Sequence, residues 1–147
     1  SKVLIDKKSP YLKSIIINRG SKSGILKGMP VLDKEYLVGR IVETNYLSSR
    51  VLLLNDLNSR IPVTFGEDGT QAILKGTGGA KPKLEYLPEG YIVEEAIEVF
   101  TSGKDGIFAP GTPVGFTSDD GEVKLYSESS QLSFVKVDLS NQKLEDF

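Results

Sequence analysis

Four groups of residues have types and spacings that chemistry would need. Gly76-Thr77-Gly78-Gly79-Ala80-Lys81 carries the glycines and the lysine of a phosphate loop. Its spacing departs from that motif, because Lys81 is not followed by Ser or Thr and no helical pattern starts there. It reads as a flexible β loop. Asp119-Asp120-Gly121-Glu122 would attract calcium but lacks the alternating oxygen ligands of a calcium loop, which leaves a solvated hairpin. Glu94, Glu95 and Glu98 resemble paired carboxylates; with no partner base nearby they read as a charged surface segment. Arg40, Arg50 and Arg60 are evenly spaced and would bind phosphate if they formed one stripe. They fall on different predicted strands and read more simply as strand-face charges opposing Asp and Glu.

Composition narrows the chemistry further. The 147 residues include no His and no Cys. Zinc sites normally need one or the other, a Ser-His-Asp triad needs its imidazole, and disulfides and thiolate nucleophiles need sulfur. Ser-Lys chemistry remains open on composition alone. No metal and no cofactor is expected. The net charge of −2 gives no broad field toward nucleic acid or an anionic membrane. No apolar run approaches the ~20 residues of a membrane span, and no signal peptide is visible. On these grounds the chain is either a soluble cytosolic protein or a segment cut from a longer one.

The remaining functional candidates are protein anchors. Tyr11, Tyr36, Tyr46 and Phe65 fall near predicted strand ends or loops, and aromatics dominate interface hot spots. The selected set is Tyr36, Leu37 and Tyr46, with Phe65 next. Tyr36 and Leu37 lead into a Val38-Gly39 strand and Tyr46-Leu47 leaves it, so both ends of one bent strand are expected to frame a groove. The alternative is that these side chains close the ends of a barrel.

Such anchors need a β scaffold. Val/Ile-rich runs of strand length recur between Gly, Pro, Asn, Asp and Ser. They predict strands at 3–7, 12–18, 30–33, 36–44, 50–55, 60–65, 71–76, 83–87, 98–101, 113–118, 123–126 and 132–139. One phrase occurs twice: Gly24-Ile25-Leu26-Lys27-Gly28-Met29-Pro30-Val31, and Gly106-Ile107-Phe108-Ala109-Pro110-Gly111-Thr112-Pro113-Val114. Gly28 and Gly111 are expected at positive φ. Gly39 and Gly115 lie inside strands, where Gly marks a bulge or a close backbone approach. The fold class is therefore all-β, with two small barrels of about six strands each. Residues 11–90 hold enough strands for one barrel; 1–10 plus 91–147 would form the other, so that one is inserted in the other. A sequential split near 78–82 is the alternative.

The order of phrases resembles the periplasmic β region of the MreC family of bacterial rod-shape-determining proteins. It is carried by Ile17-Asn18-Arg19-Gly20, the first Gly-Ile-Leu-Lys-Gly-Met-Pro-Val phrase, Leu37-Val38-Gly39-Arg40-Ile41 and Ser49-Arg50-Val51-Leu52-Leu53-Leu54-Asn55-Asp56. Ile61-Pro62-Val63, Gly76-Thr77-Gly78, Thr101-Ser102-Gly103-Lys104-Asp105-Gly106 and Pro110-Gly111-Thr112-Pro113-Val114-Gly115 continue it. Ala96-Ile97 stands where the family often has Gly-Asp, so that turn is expected to differ in shape. The resemblance implies a non-catalytic scaffold of cell-wall elongation. The partners it implies are an elongation-specific class B penicillin-binding protein, MreD and MreB, together with self-association. It also implies a place on the periplasmic face of the cytoplasmic membrane, reached through an N-terminal helix and coiled coil outside this chain. The competing readings are a degenerate double-barrel hydrolase, whose histidine would be missing, and a small β ligand-binding module. An OB-like module would need a basic, aromatic-lined strand face, which the sequence does not display.

Overall fold

The structure is a computed structural model, and it describes residues 2–4, 13–127 and 132–139. Among the described residues, twelve strands form two antiparallel six-stranded sheets. The first sheet contains β1 (Val3–Leu4), β2 (Ser14–Ile17), β3 (Pro30–Asp33), β4 (Tyr36–Thr44), β5 (Ser49–Leu53) and β12 (Lys136–Val137), in the order β1-β2-β5-β4-β3-β12. The second contains β6 (Arg60–Phe65), β7 (Thr70–Lys75), β8 (Lys83–Glu85), β9 (Glu98–Thr101), β10 (Pro113–Thr117) and β11 (Val123–Leu125), in the order β11-β10-β9-β6-β7-β8. Each sheet curls until its end strands meet at a bridge, Lys2 to Phe134 in the first and Lys83 to Glu122 in the second. The all-β, two-barrel expectation therefore matches the architecture, and strands 30–33, 36–44, 60–65 and 98–101 have their predicted limits. The predicted strand at 3–7 extends beyond the described residues, and Tyr11 lies outside them.

The strands sort differently from the expected 11–90 division. β2 to β5 join β1 and β12, whereas β6 to β8 join β9 to β11. The segment at 3–4 pairs with β2 and completes the first sheet, not the second. A cut near 78–82 would separate β8 from its partner β7. The physical reason lies in residues 54–59. Their turn residues do not fold β5 back on a neighbour; they carry the chain across to the other sheet. Asp56, fully buried, fixes that crossing. Its carboxylate accepts from the Lys13 N–H at 2.8 Å, the Asn58 N–H at 2.8 Å and Asn58 Nδ2 at 3.1 Å. The glycine loop at 76–81 is correspondingly not loose. Gly76 N–H donates to Ser59 O at 2.9 Å and Gly78 N–H to Asn55 O at 2.7 Å.

Two cores result. Ile17, Ile25, Val31, Val38, Ile41 and Val51 are buried in the first. Ile61, Val63 and Phe65 alternate inward along β6 and meet Leu74, Leu84, Val99 and Val114 in the second. β4 serves both. Val38 faces the first core, while Leu37, one residue earlier and on the opposite face of the pleat, is buried in the second. Register shifts between Val31 and Leu32, and again between Ile41 and Glu43, give β4 the extra bend this needs.

Both Val-Gly strands fulfil the close-approach expectation. A Cβ at Gly39 would overlap the Leu52 carbonyl of β5, and one at Gly115 the Lys124 carbonyl of β11. Gly28 and Gly111 differ in kind: both have positive φ, 97° and 85°, with open space where a side chain would go. Gly39→Ala and Gly115→Ala should therefore each cost about 3 kcal/mol or more, since a backbone strand must move. Gly28→Ala and Gly111→Ala should cost only about 1 kcal/mol. Chemical denaturation of the four variants checks the ranking.

Candidate protein-binding surfaces

The four expected anchors do not share a surface. Leu37 is fully buried and Phe65 is 3% exposed, so both are corrected to core residues. Leu37 was misplaced because the bend of β4 turns it into the second core. Phe65 was misplaced because it is the last inward position of β6. Tyr36 is half-buried where the two sheets meet. Its ring lies 4.9 Å from that of Tyr126, which in turn lies 5.9 Å from Phe116. Ser127 closes this junction, its hydroxyl donating to the Leu37 carbonyl at 3.1 Å. Tyr46 alone stands clear, 64% exposed beside Leu47 at 63%. The expected groove between the ends of β4 does not form, because Tyr36 packs at the junction of the sheets while Tyr46 stands on the hairpin tip past the other end of the strand.

Two open surfaces replace that groove. One is a hollow of about 660 Å³ in the second sheet, lined by Phe65, Tyr91, Ile92 and Ile97 with Glu67, Asp68 and Glu94 at its rim. Phe65 supplies the floor, and the Tyr91 ring meets it edge-on at 6.0 Å. Ile92 projects into solvent, 85% exposed. Sequence reasoning missed Tyr91 and Ile92, since 88–94 carries no strand pattern. The available signal was Tyr91-Ile92-Val93, three large apolar residues directly after Pro88-Glu89-Gly90. The other surface is the hairpin tip between β4 and β5, which carries Tyr46 and Leu47.

The charged candidates resolve as structure. Arg50 pairs with Glu43 across β5 and β4 at 2.6 Å, the opposing charge expected of it. Arg40 and Arg60 lie on different sheets, so no arginine stripe forms. Glu95 shares a hydrogen bond with Asp119, which pushes its carboxyl above the usual range, and the like charge of Asp119 adds to the effect. Ala96 adopts φ 63°, a left-handed conformation that a glycine would favour. Among the described residues no cluster of three metal-type ligands occurs.

Two curled six-stranded sheets joined by an ordered crossing, with apolar anchors on open surfaces, define a β-barrel scaffold. The sequence pattern of the family described as "Rod shape-determining protein MreC, barrel core" matches residues 3–141. The chain belongs to the MreC family. It is 37% identical over 141 residues to the cell shape-determining protein MreC of Caulobacter vibrioides, covering 93% of this chain and 41% of that protein. The chain thus spans less than half the length of that relative. The crystal structure of MreC from Pseudomonas aeruginosa superimposes with a TM-score of 0.69 at 32% identity, covering 93% of this chain and 88% of that one. A chain in the complex between penicillin-binding protein PBP2 and MreC from Helicobacter pylori has the same fold, with a TM-score of 0.69, 15% identity and coverage of 91% and 90%.

Two measurements follow from these placements. Leu37→Ala and Phe65→Ala should each lower stability by about 2–5 kcal/mol, as core truncations do and exposed anchors do not. Partial burial, then the hydrogen bond its hydroxyl donates to Glu98 at 2.7 Å, pushes Tyr126 from 10.0 up to about 12. Between those values the folded state holds a proton the unfolded chain has lost. Stability from this group is complete below pH 10 and falls as pH rises toward 12. Ultraviolet titration should show one tyrosine near 12 that disappears in Tyr126→Phe.

Proposed function

We propose that this chain is the β-scaffold portion of a cell shape-determining protein that positions a class B penicillin-binding protein for cell-wall elongation, without catalysing a reaction itself. Family membership across residues 3–141 is the observation that carries this reading. The Helicobacter pylori complex of PBP2 with MreC supports the choice of partner. In the whole protein the scaffold sits on the periplasmic face of the membrane, connects to MreD and MreB, and self-associates. Among the described residues no helix is long and apolar enough to cross a membrane.

The surface proposed for the penicillin-binding protein is the hollow of the second sheet. It has what a hot spot needs: a rigid aromatic floor in Phe65, a partly open aromatic wall in Tyr91, and an aliphatic anchor in Ile92 within a polar rim. Ile92→Ser should weaken binding to the periplasmic region of the cognate penicillin-binding protein by about tenfold or more. Its melting temperature should not change, because the side chain is already in water. Unchanged affinity in Ile92→Ser and Tyr91→Ala would remove this surface. Loss of binding in Tyr46→Ala instead would place the partner on the hairpin tip. A wild-type chain that fails to bind would remove the partner itself.

A further inference from the structure

The far end of the first sheet has a charge pattern that the overall net charge conceals. Antiparallel pairing brings the start of β1, the end of β2, the start of β3 and the β4–β5 hairpin to this one end. Lys2, Arg19, Lys22 and Lys27 are exposed there, together with Leu26, Tyr46 and Leu47. The shallow hollow beneath the tip is lined by Asn18, Arg19, Gly20, Lys22, Ser23, Tyr46 and Leu47, with no carboxylate. Among the described acidic residues at this end, Glu43 pairs with Arg50 at 2.6 Å, and Asp138 lies beside the start of β3, its N–H bonded to Pro30 O.

The tip is held rigidly. Ser21 N–H donates to Asn45 O at 2.9 Å and Lys22 N–H to Tyr46 O at 3.1 Å. The Ser49 hydroxyl donates to Arg19 O at 2.8 Å. A Cβ at Gly20 would collide with the backbone of Asn45 and Ser48, so the loop and the hairpin are pressed together. Lys22 Nζ rests 6.0 Å from the centre of the Tyr46 ring. The outcome is an exposed aromatic and an exposed leucine, with Lys22 beside the Tyr46 ring and Arg19 lining the same hollow.

We infer that this end docks on the surface of an anionic lipid bilayer, with Tyr46 and Leu47 entering the headgroup region and Arg19, Lys22 and Lys27 facing lipid phosphates. A convex tip suits a broad soft surface better than a protein pocket. Tyrosine favours the membrane–water boundary, and lysine and arginine extend their charges past buried stems. Several basic residues acting together supply the electrostatic part, which decays within a Debye length and so depends on local charge, not on the chain's total of −2. The inference does not rest on the assignment of the penicillin-binding protein to the second sheet.

Vesicles of equimolar phosphatidylglycerol and phosphatidylethanolamine provide the test. The chain contains no Trp, so Tyr46→Trp installs a single reporter. Its emission should shift to the blue with these vesicles, and should not shift with phosphatidylcholine or in about 0.5 M salt. Tyr86→Trp, at an 80% exposed position just after β8, should not respond. Arg19→Glu combined with Lys22→Glu should reduce co-sedimentation about tenfold or more, with melting temperature as the folding control. Absence of binding to anionic vesicles, equal shifts from both tryptophans, or undiminished binding by the double variant would each overturn the inference. So would loss of penicillin-binding-protein affinity in the double variant without any vesicle effect, which would make the tip a protein site.

Discussion

The buried carboxylate of Asp56 is the constraint on which the two-sheet arrangement depends. A charge removed from water must be matched by donors, and here the donors come from both sides of the crossing. Lys13, just before β2, supplies one, and Asn58, just before β6, supplies two. Satisfying this one group fixes where the first sheet ends and the second begins. The close approach of Gly76 to the Asp56 carbonyl extends the same constraint to the end of β7. Replacing the glycine with any other residue would push β7 away from the crossing.

β4 is the second element both sheets share. Its first residues belong to the junction, with Tyr36 on Tyr126 and Leu37 within the second core, while Val38 and Ile41 belong to the first core. A strand that buries consecutive residues on opposite faces couples the two cores, so a change at one is felt at the other. The open surfaces lie away from this junction. Exposed side chains there, such as Ile92 and Tyr46, can therefore vary without disturbing the fold that presents them.

Most of the strand pattern was legible in the sequence, because it is local. Ile61, Val63 and Phe65 alternate within their own strand, and Pro30, Gly66 and Pro113 mark boundaries through backbone restrictions that any context enforces. The allocation of strands to sheets was not legible. Asn55-Asp56-Leu57-Asn58-Ser59 has the composition of a hairpin turn, and only the distant partner Lys13 turns it into a crossing. The same limit applied to the anchors. Tyr46 at a hairpin tip was readable, whereas the burial of Leu37 depends on a bend whose cause is the pairing register with β3 and β5. Ile92 escaped notice because its segment has no period at all.

The nesting of one sheet within the chain path of the other has a mechanical consequence. The described ends, Lys2 and Leu139, both belong to the first sheet, where Lys2 bridges to Phe134 and β12 is hydrogen-bonded to β3. Tension applied between these ends runs through the first sheet alone while those strand pairs hold. The second sheet hangs outside the load path, attached through the crossing at 54–59 and the return past Ser127. A scaffold built this way can be pulled at its ends while the surface around Ile92 keeps its shape.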